Sequence, residues 1–358
     1  MKWSWKLGEF AGIAVNIHAT FLLIILWIVS VTWTAESTWL DIVNAVIFIL
    51  ALFACVLLHE FGHALAARRF GIHTRDITLY PIGGVARLER MPEKPLQELW
   101  VAIAGPLVNV GIAALLFGWL YLSASVMPID GVGIREGNMA ERLMVVNIFL
   151  VLFNLIPAFP MDGGRVLRAL LAMKLPFERA TQIASYVGQA MAMIFGGWGI
   201  FNNPFLIIIA LFVWIGATQE SSIVQIKYAL RGIPVRDAML TNFTTLSGYD
   251  NLGTAVEMIL AGSQHDFPVV DEGKVVGVLT RNNLMHGLEK GGKTSFVQNF
   301  MTTDFQTVEP FELLDVAFTR LQACACHTMP VLHNGALIGL LTTDNIGEFM
   351  MIKQALKR

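Results

Sequence analysis

The chain has 358 residues, 55% of them hydrophobic and only 15% charged, and its mean hydropathy of +0.60 is too high for a water-soluble protein of this length. A net charge of −2 points neither to nucleic acid nor to an acidic partner, and three cysteines, Cys55, Cys324 and Cys326, cannot build a secreted disulfide framework. What remains is a membrane protein whose soluble part faces a reducing compartment.

The opening stretch, "MKWSWKLGEFAGIAVNIHATF", mixes charges, glycines and aromatics and lacks the continuous apolar core and small-residue cleavage site of a removable signal peptide. Apolar runs long enough to cross roughly 30 Å of hydrocarbon then follow near residues 19–34, 43–67, 98–122, 143–159, 181–201 and 204–220. Between the second and third runs lie Arg68, Arg69, Arg75, Arg87, Arg90 and Lys94, whereas "AESTWLD", between the first and second, carries two acids and no base. The positive-inside rule predicts that the amino terminus and the 68–97 segment are cytoplasmic. On the same alternation Arg165, Arg168, Lys174 and Arg179 fall inside, as does everything after residue 220.

The second run ends in "VLLHEFGHALAARRF". His59 and His63 are four residues apart and share one face of a helix, with Glu60 beside them, which is the H-E-x-x-H arrangement of a zinc hydrolase. Three ionisable groups left in hydrocarbon without compensation cost at least a few kcal/mol each, and a metal cluster supplies that compensation. A catalytic zinc takes three protein ligands and a water, so a third ligand is expected. Glu36, Asp41, Asp130 and Glu141 are assigned to outer loops. Asp162 differs: in "NLIPAFPMDGGR" Pro157 and Pro160 break a helix, and Gly163 and Gly164 permit close backbone approach. The other reading of Asp162 is a helix N-cap for the segment beginning at Gly163.

Between these two motifs, "DITLYPIGGVARLER" (residues 76–90) predicts two short strands around Pro81, Gly83 and Gly84. An exposed edge there could accept an extended substrate by strand addition; the alternative is a hairpin that only connects two helices. Gly105 and Asn109 in the third run are read as close-packing residues, His18 as structural, and Cys324 and Cys326 as buried thiols.

From about residue 231 the composition changes and the chain repeats itself at an offset of 62: Pro268 aligns with Pro330, Gly277 with Gly339, Thr280 with Thr342, Met239 with Met301 and Phe243 with Phe305. Two copies of a βαββα-type unit are expected.

"HEFGH", "AGPLVN" (104–109), "NLIPAFPMDGGR" and the tail repeat, in that order, resemble the site-2 protease family of intramembrane metalloproteases, in its prokaryotic form with a carboxy-terminal pair of cystathionine-β-synthase (CBS) domains. The resemblance implies an α-helical polytopic membrane protein of about six transmembrane helices with a membrane-associated β-hairpin, followed by a cytoplasmic α+β CBS pair. The boundaries expected are 1–220 for the membrane domain, 221–290 for a linker and the first CBS repeat, and 291–358 for the second.

It further implies one Zn2+ per chain held by His59, His63 and Asp162, with Glu60 as catalytic base and Asn154 holding substrate backbone or the developing oxyanion. Zinc lowers the pKa of its bound water to about 7; Glu60 would take the proton and return it to the leaving amine. The implied substrate is a single-span membrane protein cut within or near its transmembrane helix, in the lipid bilayer of a prokaryotic cytoplasmic membrane. For the CBS pair the resemblance implies ATP or AMP in the cleft between repeats. Where the family pattern ends in Asp, however, this chain has Asn283 after Thr280 and Asn345 after Thr342, and an amide lacks the charge-assisted strength of a carboxylate. A structural or homodimerising role is the alternative for the tail. For the whole chain the rival is a CBS-regulated metal-ion transporter or channel that uses the same cluster as a transport site.

Overall fold

In the computed structural model the described residues are all but 1–2, 34–37, 82, 90–91, 93, 124–137, 324–327 and 357–358. Glu36, Arg90, Asp130, Cys324 and Cys326 therefore lie outside them. The chain divides into two compact units, Met1–Ser222 and Ile223–Arg358.

The first unit opens with strands β1 (Ser4–Phe10) and β2 (Ile13–His18), followed by helices α1 (Phe21–Thr32) and α2 (Trp39–Arg68), strands β3 (Thr74–Tyr80) and β4 (Gly83–Leu88), and helices α3 (Pro95–Leu122), α4 (Met139–Asn154), α5 (Asp162–Ala172), α6 (Phe177–Phe201) and α7 (Phe205–Leu230), the last eight residues of which lie beyond Ser222. Each of the six apolar runs overlaps a helix, the fourth running five residues past the end of α4; of these helices, α2, α3, α6 and α7 are long and apolar enough to cross a membrane. Two of them start earlier than expected. Thr38 with Asp41, and Asn138 with Glu141, form reciprocal capping boxes, so Asp41 and Glu141 are first-turn helix residues rather than loop acids.

The expected hairpin of β3 and β4 is present, but it is half of a larger sheet of order β1-β2-β3-β4, in which β2 pairs with β3 in parallel and the other pairs are antiparallel. One face of this sheet packs on the end of α2, where Ile13 and Ile77 meet Ala64. Phe21 of α1 meets Phe53 of α2 edge-on at 4.6 Å. His18 accepts at Nδ1 from the Thr20 backbone N–H at 3.3 Å, a local role just before α1. One of the sheet's two edge strands, β4, lies along α2 beside Glu60.

Small residues bring the helices close, as bilayer helices require. Gly62 of α2 faces the Ala104 carbonyl of α3 so closely that an added Cβ would lie 2.7 Å from its oxygen. Helix α5 is locked by charge. Arg168, only 1% exposed, donates through Nε to Glu98 of α3 at 2.7 Å and through Nη1 to Glu220 of α7 at 2.5 Å. Its guanidinium carbon also lies 5.0 Å from the Phe159 ring and 4.9 Å from the Phe177 ring.

The second unit holds α8 (Leu252–Ala261), β5 (Phe267–Asp271), β6 (Lys274–Leu279), α9 (Arg281–Gly291), α10 (Leu314–Ala323), β7 (Thr328–His333), β8 (Ala336–Thr342) and α11 (Thr343–Leu356). The first strand expected in each repeat is reduced to an isolated parallel bridge within that repeat, Leu246 with Val269 and Val308 with Val331, whereas the segments just before are exchanged: Leu240 pairs with Leu340 of the second repeat, and Thr302 pairs with Val278 of the first. The repeated glycines have the same cause: an added Cβ would sit 2.6 Å from Met301 Sδ at Gly277, and 2.8 Å from Met239 Sδ at Gly339.

Removing one member of a buried ion pair strands the other. Arg168→Met is expected to lower stability by about 3–5 kcal/mol, measured by unfolding of the detergent-solubilised protein. Arg168→Met combined with Glu98→Leu should recover much of that loss, and Glu220→Gln alone should cost least because Glu220 is part-exposed.

Candidate metal centre

Helix α2 delivers His59 and His63 on one face, and the break between α4 and α5 delivers Asp162. Residues 155–161, with Pro157 and Pro160, interrupt the helical backbone, and α5 begins at Asp162 itself. Met161 is the N-cap, and Asp162, as the first helical residue, has its carboxylate turned to the histidines; the N-cap reading of Asp162 is thereby corrected. Gly163 and Gly164 are required for this turn. A Cβ would lie 2.2 Å from the Ile156 oxygen at Gly163 and 2.6 Å from the Phe159 nitrogen at Gly164.

Three donor atoms converge. His59 Nε2 and His63 Nε2 are 3.1 Å apart, and Asp162 Oδ2 lies 3.1 Å from His63 Nε2 and 3.2 Å from His59 Nε2. Tetrahedral zinc with bonds of about 2.0–2.2 Å implies edges of roughly 3.3 Å between ligand atoms, so the spacing fits. The tautomers fit as well. His63 Nδ1 lies 2.7 Å from the Val101 carbonyl, which can only accept, so Nδ1 carries the proton and Nε2 presents a lone pair. His59 Nδ1 lies 2.7 Å from Asn109 Oδ1 and is oriented in the same sense. All three residues are at most 6% exposed. Among the described residues they are the group whose ligand atoms could hold a metal.

A cavity of about 440 Å³ opens onto this cluster, lined among others by Glu60, Asn154, Gly83, Gly84, Ala86 and Arg165. Glu60 is not within the ligand group; its Oε2 accepts the backbone N–H of Ala86 in β4 at 3.2 Å. That contact needs a bare backbone at the neighbouring outward position, because a Cβ on Gly84 would lie 2.7 Å from Glu60 Cγ. Gly83 has φ +139°, a value that favours glycine. Pro81 sits in the turn before β4, outside the cavity wall. Asn154 donates one Nδ2 hydrogen to the Leu150 carbonyl at 3.0 Å, which leaves Oδ1 and the second amide hydrogen for a cavity partner. At the far end of the hairpin, Arg87 Nε donates to Asp76 Oδ1 at 2.7 Å, and this bond raises the guanidinium above its ordinary pKa.

Several residues gain roles that their sequence positions did not reveal. Gly105, read as a packing residue, faces the His59 and His63 rings directly. Asn109 contacts His59, and Arg165, read as an orientation signal, has Nη1 3.8 Å from Asp162 Oδ1. Arg165 lies one helical turn after Asp162, a spacing that could have signalled the contact.

The four predicted nucleotide residues form two helix caps. Thr280 Oγ1 accepts the Asn283 N–H at 3.2 Å, and Thr342 Oγ1 accepts the Asn345 N–H at 3.1 Å. The asparagine side chains are engaged as well: Asn283 Nδ2 donates to Thr302 Oγ1 at 2.8 Å, and Asn345 Oδ1 accepts from Thr342 Oγ1 at 2.5 Å.

The family model for Peptidase family M50 matches residues 47–137 and 137–195, and that for the CBS domain matches 235–290 and 297–351. Over 355 residues the chain is 35% identical to Zinc metalloprotease MJ0392 of Methanocaldococcus jannaschii, covering 98% of this chain and 97% of the relative. It is 25% identical over 247 residues to Stage IV sporulation protein FB of Bacillus subtilis, covering 66% of this chain and 82% of that one. Among solved structures, a site-2 protease from Methanocaldococcus jannaschii aligns at 37% identity with a TM-score of 0.46, covering 61% of this chain and 95% of that chain.

A Cβ at Gly105 would lie 2.2 Å from His63 Nε2 and 2.7 Å from His59 Nε2, whereas at Gly111 of the same helix it would meet nothing within 4 Å. Gly105→Ala is therefore expected to lose bound zinc and Gly111→Ala to keep it, as read by the metal content of the purified, dialysed proteins.

Proposed function

We propose, for a chain that belongs to peptidase family M50, the site-2 proteases, that His59, His63 and Asp162 are its zinc ligands and Glu60 its general base. The protein is an intramembrane zinc metalloprotease. What carries the residue-level reading is the convergence of three donor atoms within 3.2 Å, beside a carboxylate that stays outside the group. When bound there, zinc supplies Lewis acidity, polarising a carbonyl and acidifying a water.

The residues around it do the remaining work. Glu60 accepts the proton of the attacking water and returns it to the leaving amine. Ala86 N–H holds that carboxylate on the cavity side of α2. On the outer edge of β4, Ala86 and Gly84 share an orientation by the two-residue period of a strand. An extended substrate that pairs there exposes a carbonyl that a helix would keep hydrogen-bonded. By taking the Ala86 N–H it would also release Glu60 for proton transfer. Asn154 on the opposite wall is assigned to the substrate backbone or the oxyanion.

The substrate class is a single-span membrane protein. The distribution of Arg and Lys supports six spans over residues 1–220 with both termini cytoplasmic, in the cytoplasmic membrane of a prokaryote. Residues 221–290 and 291–358 then carry the two CBS repeats. The rival reading, a metal transporter, leaves Glu60 without a task and does not account for metalloprotease relatives along the whole chain.

Glu60→Gln is expected to retain one zinc per chain and abolish cleavage of a reporter transmembrane substrate in lipid. Equal cleavage by variant and unmodified protein would remove Glu60 as the base. Chelation should abolish cleavage by the unmodified protein, and added zinc should restore it.

AMP or ATP is assigned to the CBS pair as a regulator, with a structural or homodimerising role as the alternative. Thermal unfolding of the full chain should shift upward with saturating AMP or ATP, and no shift with either would remove the nucleotide.

A further inference from the structure

Helix α4 supplies no metal ligand, yet a buried polar chain runs from it to the metal centre. Asn147 Nδ2 donates to the Leu143 carbonyl at 2.8 Å, Asn109 Nδ2 donates to Asn147 Oδ1 at 2.8 Å, and Asn109 Oδ1 lies 2.7 Å from His59 Nδ1. Both asparagines are 0% exposed, so no water competes for these groups.

The direction of the chain is fixed at its far end. A carbonyl only accepts, so the Asn147 atom facing Leu143 must be the amide nitrogen. That leaves Asn147 Oδ1 as the acceptor toward Asn109, which must turn its own nitrogen to Asn147 and its oxygen to His59. His59 Nδ1 must then carry the proton, leaving Nε2 with its lone pair toward His63 and Asp162. Reversing either amide breaks at least one of three buried bonds. His63 needs no such relay, because the Val101 carbonyl holds it directly.

We propose that Asn109 and Asn147 are positioning residues that act on the zinc through His59 by fixing its metal-binding tautomer. This rests on the zinc reading of the cluster. The competing role is interhelical adhesion, which buried amides also serve in bilayers, and the two roles predict opposite orders of substitution. For adhesion and packing, Asn109→Leu, of similar size, is the milder change, and Asn109→Asp, a buried carboxylate that cannot donate to Asn147, is the severe one. For positioning, Asp still accepts from His59 Nδ1 while Leu leaves that proton without an acceptor.

The test is zinc affinity of the full chain in detergent, by competition with a chromophoric chelator, on the monodisperse fraction of each variant. Asn109→Leu is expected to weaken zinc binding about 10- to 100-fold, and Asn147→Leu to weaken it less. Asn109→Asp should stay near the unmodified protein. Unmodified affinity in both leucine variants would overturn the proposal. Those two variants decide it even if Asn109→Asp does not fold. Absence of zinc binding by the unmodified chain would instead overturn the metal assignment itself, so the two failures are distinguishable.

Discussion

Three lone-pair-bearing atoms, two imidazole nitrogens and a carboxylate oxygen, are held within 3.2 Å of one another in the helical interior of the membrane unit. With both histidines neutral and each one's other nitrogen bearing its proton, no donor remains within the trio, and a cation at their centre would offset their mutual repulsion. The requirement that the fold hold this arrangement open explains much that is otherwise arbitrary. Each of the three groups is braced from behind by a partner that cannot switch roles: the Val101 carbonyl for His63, the Asn109–Asn147–Leu143 relay for His59, and for Asp162 the start of α5, whose N-terminal dipole favours a carboxylate there.

The same requirement dictates where side chains are forbidden. Gly105 faces the two histidine nitrogens, Gly84 faces Glu60, and Gly163 and Gly164 face the backbone of residues 155–159. These glycines serve close approach more than backbone freedom, since of the four none has a positive φ. Position therefore comes from helices pressed together at small residues, while charge is managed separately by the Arg168 cluster, which ties α5 to α3 and α7 six residues from Asp162.

What could be read in the sequence was the chemistry that repeats along one element. His59 and His63 share a face by helical period, Asp162 stood out among proline and glycine, and the offset of 62 exposed the two CBS repeats. What could not be read joins distant elements or involves no side chain. The His59–Asn109 contact spans 50 residues, and the Ala86 donor is backbone, identical at every non-proline position. In β1 a register shift between Lys6 and Gly8 disturbs the alternation that would have revealed the strand. The capping boxes at Thr38 and Asn138 were legible in principle, as Thr or Asn followed three residues later by an acid.

The tail shows how a repeat can be visible in sequence while its units are not self-sufficient. Met239 and Met301 cover the glycine of the opposite repeat, and Leu240 and Thr302 pair across in the same exchanged sense. The core around β7 and β8 accordingly includes Val235 and Ala238, from before the first repeat's own strands, and the core around β5 and β6 includes Val297. A boundary drawn between residues 290 and 291 thus separates neighbours in sequence but cuts through both cores. Each repeat completes the other, so the pair behaves as one cooperative unit, and a ligand that ordered either half would be felt by both.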